Sequence, residues 1–239
     1  MSLRKKKGIR AEQLQIVHVV EELAEHRVAL KTVLVLVESN KQRYLHLLKS
    51  AITRSIFEPS LKEVRRGLIV NIIQSLLGRR GLCLAKLDIQ SKEDRIEGRN
   101  WPPFAETMMG YKRLTHLESC LDRIIEEKIP GDLFEAGCWR GGSVAFMLGF
   151  LQASNDNRNV WAADSFQGYP KPDNKSYEED KFLYDHPEYF AVTKETFLKT
   201  IKKYNVDSEH LKILQGWFNE TIPMANINEL ALIRIDVDG

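Results

Sequence analysis

Apolar positions change their rhythm near residue 101. Upstream, residues 11 to about 50 contain neither Gly nor Pro, and Leu14, Val17, Val20, Leu23, Leu45 and Leu48, with Ile16 and Val19 beside them, follow a helical stripe. That spacing predicts a long helix or a helix pair. The patch Thr32 to Val37 is rich in β-branched residues and leaves helix and strand both open. Residues 51 to 90 read as short helical pieces broken at Pro59, Gly67, Gly78 and Gly81. Gln90 to Asn100 reads as a polar loop, with Ser91 to Arg95 as solvated surface.

Downstream the pattern becomes an α/β alternation. Met108, Tyr111, Leu114, Leu117, Leu121, Ile124 and Ile125 recur at spacings of three and four and predict a helix from Glu106 to Glu127. Ile129 to Asp132 ends it as a turn. Strands are expected at Leu133 to Ala136, Asn159 to Ala163, Leu211 to Leu214 and Leu230 to Ile235, with helices at Ser143 to Gln152 and Thr193 to Tyr204. Strands that alternate with helices imply a doubly wound parallel sheet whose ligands lie beyond the carboxyl ends of its strands. The long acidic and aromatic stretch Tyr177 to Phe190 is a lid candidate, and its His186 is either a substrate contact or plain surface.

Composition narrows the class. The chain has 239 residues, 43% hydrophobic and 28% charged, with a formal net charge of +2. Those values fit an ordinary globular protein and give no reason to expect nucleic acid as a partner. Arg4, Lys5, Lys6, Lys7 and Arg10 hold much of the positive excess, as a solvated tail or as a membrane-surface or RNA contact. Cys83, Cys120 and Cys138 are odd in number and widely spaced, which argues against a disulfide framework or a zinc site and for a reducing compartment. Val33 to Val37 is too short to span a bilayer, and no signal-peptide core follows the basic start. The expectation is a cytoplasmic protein with no membrane partner.

Candidate chemistry gathers at the ends of the predicted strands. Glu135, Gly137, Gly141 and Gly142 run from the first strand into a helix that begins at Ser143. Such a turn suits a nucleotide-like cofactor: the glycines allow close approach, the helix start offers N–H groups, and Glu135 can accept from an amino group. A tight turn with a solvated acid is the plain alternative. Asp164, followed by Ser165, stands where an acid grips a ribose diol, or caps a turn. Trp217 and Phe218 follow the third strand, to stack on an adenine or to pack in the core. Asp236 and Asp238 alternate on one side of the fourth strand's end, a pairing that suits a hard cation or a metal ligand beside a general base. A nicotinamide dehydrogenase is disfavoured because the spacing is not G-x-G-x-x-G.

Six ordered motifs carry a resemblance: Glu106-Thr-Met-x-Gly-x-Lys-Arg-Leu114, Pro130-Gly-Asp-Leu-x-Glu135, Trp139-Arg-Gly-Gly142, Ala163-Asp-Ser-Phe-Gln-Gly168, Gly216-Trp-Phe218 and Arg234-x-Asp-x-Asp238. From about Arg43 to Gly239 the chain resembles the macrocin O-methyltransferase (TylF-type) family of sugar methyltransferases. The resemblance implies a class I methyltransferase-like (Rossmann-like) α/β fold, S-adenosylmethionine as methyl donor, and magnesium-assisted transfer to a hydroxyl of a sugar-containing small molecule. It implies Asp236 as metal ligand and Asp238 as base, with the roles open to exchange, and Thr107 and Met108 against the cofactor. With them go Glu135, Gly137, Arg140, Gly141, Gly142, Ser143, Asp164, Ser165 and Trp217 as cofactor-binding residues. The expected organisation is a basic tail and helical arm over 1–42, a helical lid region over 43–100 and the methyl-donor domain over 101–239. The arm would serve packing or formation of a homo-oligomer. Family members continue past Arg-x-Asp-x-Asp into a strand ending in a further Asp-Asp pair, so a sheet incomplete at the C-terminus, an exposed fourth strand and weakened metal binding are expected here. A non-catalytic binding or assembly protein is the rival expectation.

Overall fold

The computed structural model describes residues 37, 40–56, 61–64, 67–87, 92–99, 104–172, 178–206 and 208–237. The chain divides into two compact units, Met1–Tyr44 and Leu45–Gly239. In the first, the described residues 37 and 40–44 are helical. The helical reading of residues 11–36, the basic run at 4–10, residues 101–103 and the carboxylate of Asp238 lie outside the described residues.

The second unit is built on four parallel strands: β3 (Asp132–Ala136), β4 (Val160–Asp164), β5 (Leu211–Gln215) and β6 (Leu230–Ile235). Their order is β5-β4-β3-β6, so the chain moves outward from β3 on one side and then returns to its other side. Period-two alternation divides the side chains between two faces. Leu133, Val160 and Ala162 join the main core, while Phe134, Ala136 and Ala163 form a smaller cluster behind the sheet.

Helices cover the main face. Residues 45–52 (α1) bury Leu45, Leu48 and Ile52, one stripe at helical spacing. Helix α4 (Tyr111–Glu126) buries Leu114, Leu117, Leu121 and Ile124. Helix α5 (Gly142–Ser154) is buried from Gly142 through Leu151, which explains why its sequence is apolar on every side. Helix α8 (Lys194–Tyr204) starts at Thr193, whose hydroxyl accepts from the Thr196 N–H, and buries Phe197 and Ile201. Lys49 of α1 pairs with Glu118 of α4, both nearly buried, and also donates to Thr115 Oγ1 at 3.2 Å.

The far face is thinly covered. Among the described residues, Phe218, Ile227 and Leu230 pack against Phe134, Ala136 and Ala163. Ile233 pairs with Phe134 and Ile235 with Ala136, on that same face, and they are 59% and 70% exposed. Among the described residues, strand β6 has β3 as its single neighbour. The expected exposed fourth strand is therefore present, and its large side chains stand on the thinly covered side.

Three expectations need correcting. The segment 61–87 is not all helical: β1 (Leu61–Glu63) and β2 (Ala85–Leu87) pair antiparallel around α2 (Leu68–Gly78). The Gln74 amide closes that unit by donating to the Val64 and Leu84 carbonyls and accepting from the Leu84 N–H, a long-range satisfaction that no local pattern announces. Gln90 to Asn100 contains α3 (Lys92–Glu97), and Arg95 is buried, donating to the Arg54 carbonyl at 3.3 Å. Helix α4 begins at Tyr111 rather than Glu106, because the backbone of Glu106 is bonded to Ile52 and Gly142 instead of to its own helix.

Gly137 sets the geometry where three strands meet. Its φ is +81°, and a Cβ there would lie 2.2 Å from the Asp236 carbonyl oxygen. Its N–H donates to Ala163 O at 2.9 Å, and Asp236 N–H donates to Ala136 O at 2.9 Å. Gly137→Ala is expected to cost about 2–4 kcal/mol through strain and overpacking. Gly78→Ala, with nothing within 4 Å of its Cβ, should instead stabilise by roughly 0.5–1 kcal/mol. Chemical denaturation of both variants checks the contrast.

Candidate functional site

Parallel strands bring Glu135, Asp164, Trp217 and Asp236 to one edge of the sheet, although they are far apart in sequence. Glu135 is fully buried at the end of β3. The Ser143 hydroxyl at the start of α5 donates to its Oε1 at 2.6 Å. Arg234, opposite Glu135 in the strand register, donates to the same oxygen with Nη1 and to Asp236 Oδ2 with Nη2, the latter at 2.6 Å. Burial pushes the Glu135 pKa up to about 7, with Asp236 adding to the rise and Arg234 and Ser143 opposing it. Its second oxygen, Oε2, is buried and has no hydrogen-bond partner among the described residues. A buried acceptor left open in this way is costly unless a ligand donor fills it.

The turn from β3 to α5 is held from below by Asp164. Asp164 Oδ2 accepts from the N–H groups of Cys138 at 2.8 Å and Trp139 at 3.1 Å, and Oδ1 accepts from Phe166 N–H at 2.8 Å. A carboxylate has roughly four lone-pair directions, so three are occupied and about one remains for a ligand hydroxyl. The capping role weighed for Asp164 is thus realised. Ser165, beside it, donates to Gly168 O at 2.9 Å and accepts from Gln167 N–H. Cys138 is buried and points its thiol at the Glu135 and Ala163 carbonyls. Burial raises its pKa well above the usual thiol value, which makes it a packing group.

Around that turn each expected residue has a definite contact. The space a side chain would need at Gly141 is filled by the Phe197 ring, and at Gly142 by the Glu106 carbonyl and Ile52. The Gly142 N–H donates to that carbonyl at 2.9 Å, so this amide of the helix start is already used. Arg140 lies over the Trp139 ring, 4.3 Å from its centroid, and donates to Ala105 O at 2.9 Å. Thr107 is buried and accepts from Met109 N–H, while Met108 is half-buried. Trp217 is half-buried after β5, next to Gly216, whose N–H donates to Asp164 O at 3.0 Å. Phe218 belongs to the core cluster behind the sheet. Asp236 is exposed and ion-paired with Arg234. No group of three or more His, Cys, Asp or Glu placed to hold a metal occurs among the described residues.

The stretch expected as an aromatic loop contains two short helices, α6 (Glu178–Asp185) and α7 (Pro187–Phe190). Trp139 Nε1 donates to Tyr189 O at 2.8 Å, tying α7 to the turn. His186 lies between Phe182 and Tyr189, with ring centroids 4.2 and 6.3 Å away, and its Nδ1 donates to Phe182 O. Gln167, Tyr169, Tyr184, Asp185 and Pro187 line a cleft of about 390 Å³ there.

Comparison with known proteins places the chain in a family. Residues 41–239 match the family described as Macrocin-O-methyltransferase (TylF). The chain belongs to that family. It is 41% identical over 150 residues to the demethyldecarbamoylnovobiocin O-methyltransferase of Streptomyces niveus, covering 62% of this chain and 57% of the relative. It is 40% identical over 149 residues to the 8-demethyl-8-(2,3-dimethoxy-alpha-L-rhamnosyl)-tetracenomycin-C 4'-O-methyltransferase of Streptomyces olivaceus, covering 61% and 57%. With the mycinamicin III 3''-O-methyltransferase of Micromonospora griseorubida the identity is 38% over 153 residues, covering 62% and 60%. The matched stretches thus span less than two thirds of these relatives' length. The solved structure of the O-methyltransferase NovP superposes with a TM-score of 0.67 at 32% identity, covering 82% of this chain and 72% of that one. The fold is accordingly the α/β class I methyltransferase type.

Two contributors were visible in the sequence only as motif letters. Arg234 looked like spacing ahead of Asp236, and Trp139 like part of a glycine turn; the signal in each case was its fixed place in a motif. Asp164→Ala removes the acceptor of three backbone N–H groups and is expected to cost about 2–4 kcal/mol, with Asp164→Asn intermediate. Urea denaturation of the two variants measures this.

Proposed function

We propose that this chain provides the methyl-donor site of an S-adenosylmethionine-dependent O-methyltransferase that acts on a hydroxyl of a sugar or glycosylated natural product. The observation that carries this is the open, buried Oε2 of Glu135 at the carboxyl end of β3. A buried carboxylate oxygen in that position suits the ammonium of an amino-acid moiety. Asp164, with its remaining lone pair, and Ser165 suit ribose hydroxyls. Trp217 suits an adenine face, and Thr107, Met108 and the turn Gly137 to Ser143 suit the body of the donor. When bound, S-adenosylmethionine supplies an electrophilic methyl group on sulfur.

For the acceptor, the cleft beside α6 and α7 combines the rings of Tyr169 and Tyr184 with Gln167 and Asp185. Flat rings against sugar C–H faces, with an amide and a carboxylate for hydroxyls, suit a glycosyl group. The printed names of the relatives include a rhamnosyl-tetracenomycin and a mycinamicin, which supports that acceptor class. Asp238, by its place in the Arg-x-Asp-x-Asp motif, is assigned the hydroxyl proton. The described residues do not assemble a magnesium site: Asp236 already carries Arg234, and no ligand cluster forms around it. A cytoplasmic location is supported by cysteines that are all free, and no helix among the described residues is long and apolar enough to cross a membrane.

Calorimetry with S-adenosylhomocysteine tests the donor site directly, and no binding at millimolar ligand would sink the proposal. The pH dependence has a definite sign. Glu135 attracts the ligand's ammonium when ionised, and below its pKa of about 7 it becomes neutral. Affinity should therefore fall as pH falls, by about tenfold per unit below that value, and level off above it. Glu135→Gln should bind weakly with a flat profile.

A further inference from the structure

Glu106 stands outside every role assigned above, yet three side chains converge on its carboxylate. It is 6% exposed. Its Oε1 accepts from Arg54 Nη2 at 3.1 Å and from Lys203 Nζ at 2.5 Å, and its Oε2 accepts from the Tyr204 hydroxyl at 3.0 Å. Those donors come from the end of α1 and the end of α8, elements more than fifty and more than ninety residues away in sequence. The acid beside Tyr204, together with burial, pushes that phenol above its ordinary pKa, burial being the larger cause.

The backbone of the same segment is fastened just as fully. Glu106 N–H donates to Ile52 O at 3.2 Å, and Glu106 O accepts from Gly142 N–H at 2.9 Å. Ala105 O accepts from Arg140 Nη1 at 2.9 Å and Phe104 O from Arg54 Nε at 3.0 Å. Arg54 adopts φ +59°, an uncommon conformation for a residue with a side chain, and from there it reaches both the Phe104 carbonyl and the Glu106 carboxylate. Contact with the turn has no slack. A Cβ on Gly142 would come within 2.5 Å of the Glu106 carbonyl oxygen. Any shift of Glu106 must therefore move either the start of α5 or the residues that follow it, Thr107 and Met108.

We propose that Glu106 is a positioning residue of the methyl-donor site, a carboxylate clasp that holds Thr107 and Met108 against the start of α5 by drawing together the ends of α1 and α8; this rests on the donor-site assignment above. It acts through its neighbours and touches no reacting atom. Replacing it by Gln removes the charge that faces Arg54 and Lys203 and leaves one acceptor oxygen in place of two, so both ion pairs weaken, Tyr204 keeps its contact only by turning its hydroxyl from donor to acceptor, and the segment can drift from the turn.

Calorimetry with S-adenosylhomocysteine, combined with thermal denaturation, tests the clasp on the full chain. Glu106→Gln should weaken binding by about tenfold, and Glu106→Asp, which keeps the charge, should recover part of the loss. The control is Ile124→Ala in α4, a core deletion at the opposite, amino-terminal end of the sheet; it should lower Tm but leave affinity within about twofold. Should Glu106→Gln not fold, Tyr204→Phe removes one donor and is expected to weaken binding about two- to threefold. If Glu106→Gln binds within twofold of the wild-type chain, if Ile124→Ala weakens binding equally, or if Tyr204→Phe changes nothing, the clasp is overturned while the donor site stands. Failure of the wild-type chain to bind overturns both.

Discussion

The burial of Glu135 is the constraint around which the carboxyl edge of this sheet is arranged. An isolated carboxylate in the interior costs several kcal/mol unless charge and hydrogen bonds compensate it. Here compensation comes from two directions, the Arg234 guanidinium from the neighbouring strand and the Ser143 hydroxyl from the helix above. Both act on one oxygen. Strand pairing and acid are thus interdependent: the β3–β6 register that places Arg234 opposite Glu135 is also the register that brings Asp236 to the edge. Compensation is incomplete, since the acid's pKa stays raised to about 7 and one oxygen has no donor among the described residues. A fold that merely needed a stable strand would place an apolar residue there.

From that edge the rest of the site follows by backbone bonding rather than by side chains meeting one another. Asp164 uses both oxygens to hold amides of the turn after β3 and of its own turn. Gly137 lets β3 and β6 close to a distance that no Cβ would allow. Trp139, in the left-handed region at φ 45°, sends its indole outward to the Tyr189 carbonyl and so links the donor turn to the aromatic helices α6 and α7. The same region is also tied to the turn after β4, where Tyr169 meets Phe190 edge-on with ring centroids 5.6 Å apart.

Helices α1, α4 and α8 are tied together by buried charge as well as by apolar packing. Lys49 and Glu118 join α1 to α4, and Glu106 joins α1, α5 and α8. Buried pairs of this kind add little net stability over apolar residues of the same size, but removing one partner is costly, so they fix which surfaces meet.

The sequence by itself determined the alternation of strands and helices from 111 to 235, because period-two and helical stripes are local consequences of burying one face. Predicted and observed bounds of β3 to β6 and of α5 and α8 agree to within about two residues, the usual tolerance for element ends. Motif order likewise made Glu135, Asp164, Trp217 and Asp236 legible, since a parallel sheet must deliver its strand ends to one edge. What only the tertiary structure decided were contacts between residues distant in the chain. Gln74 closing a hairpin, Arg95 becoming buried, Glu106 leaving the helical pattern and Arg234 reaching Glu135 have no local signature. Each depends on a partner at least ten residues away, and a buried polar group takes whichever partner the fold brings within hydrogen-bond distance.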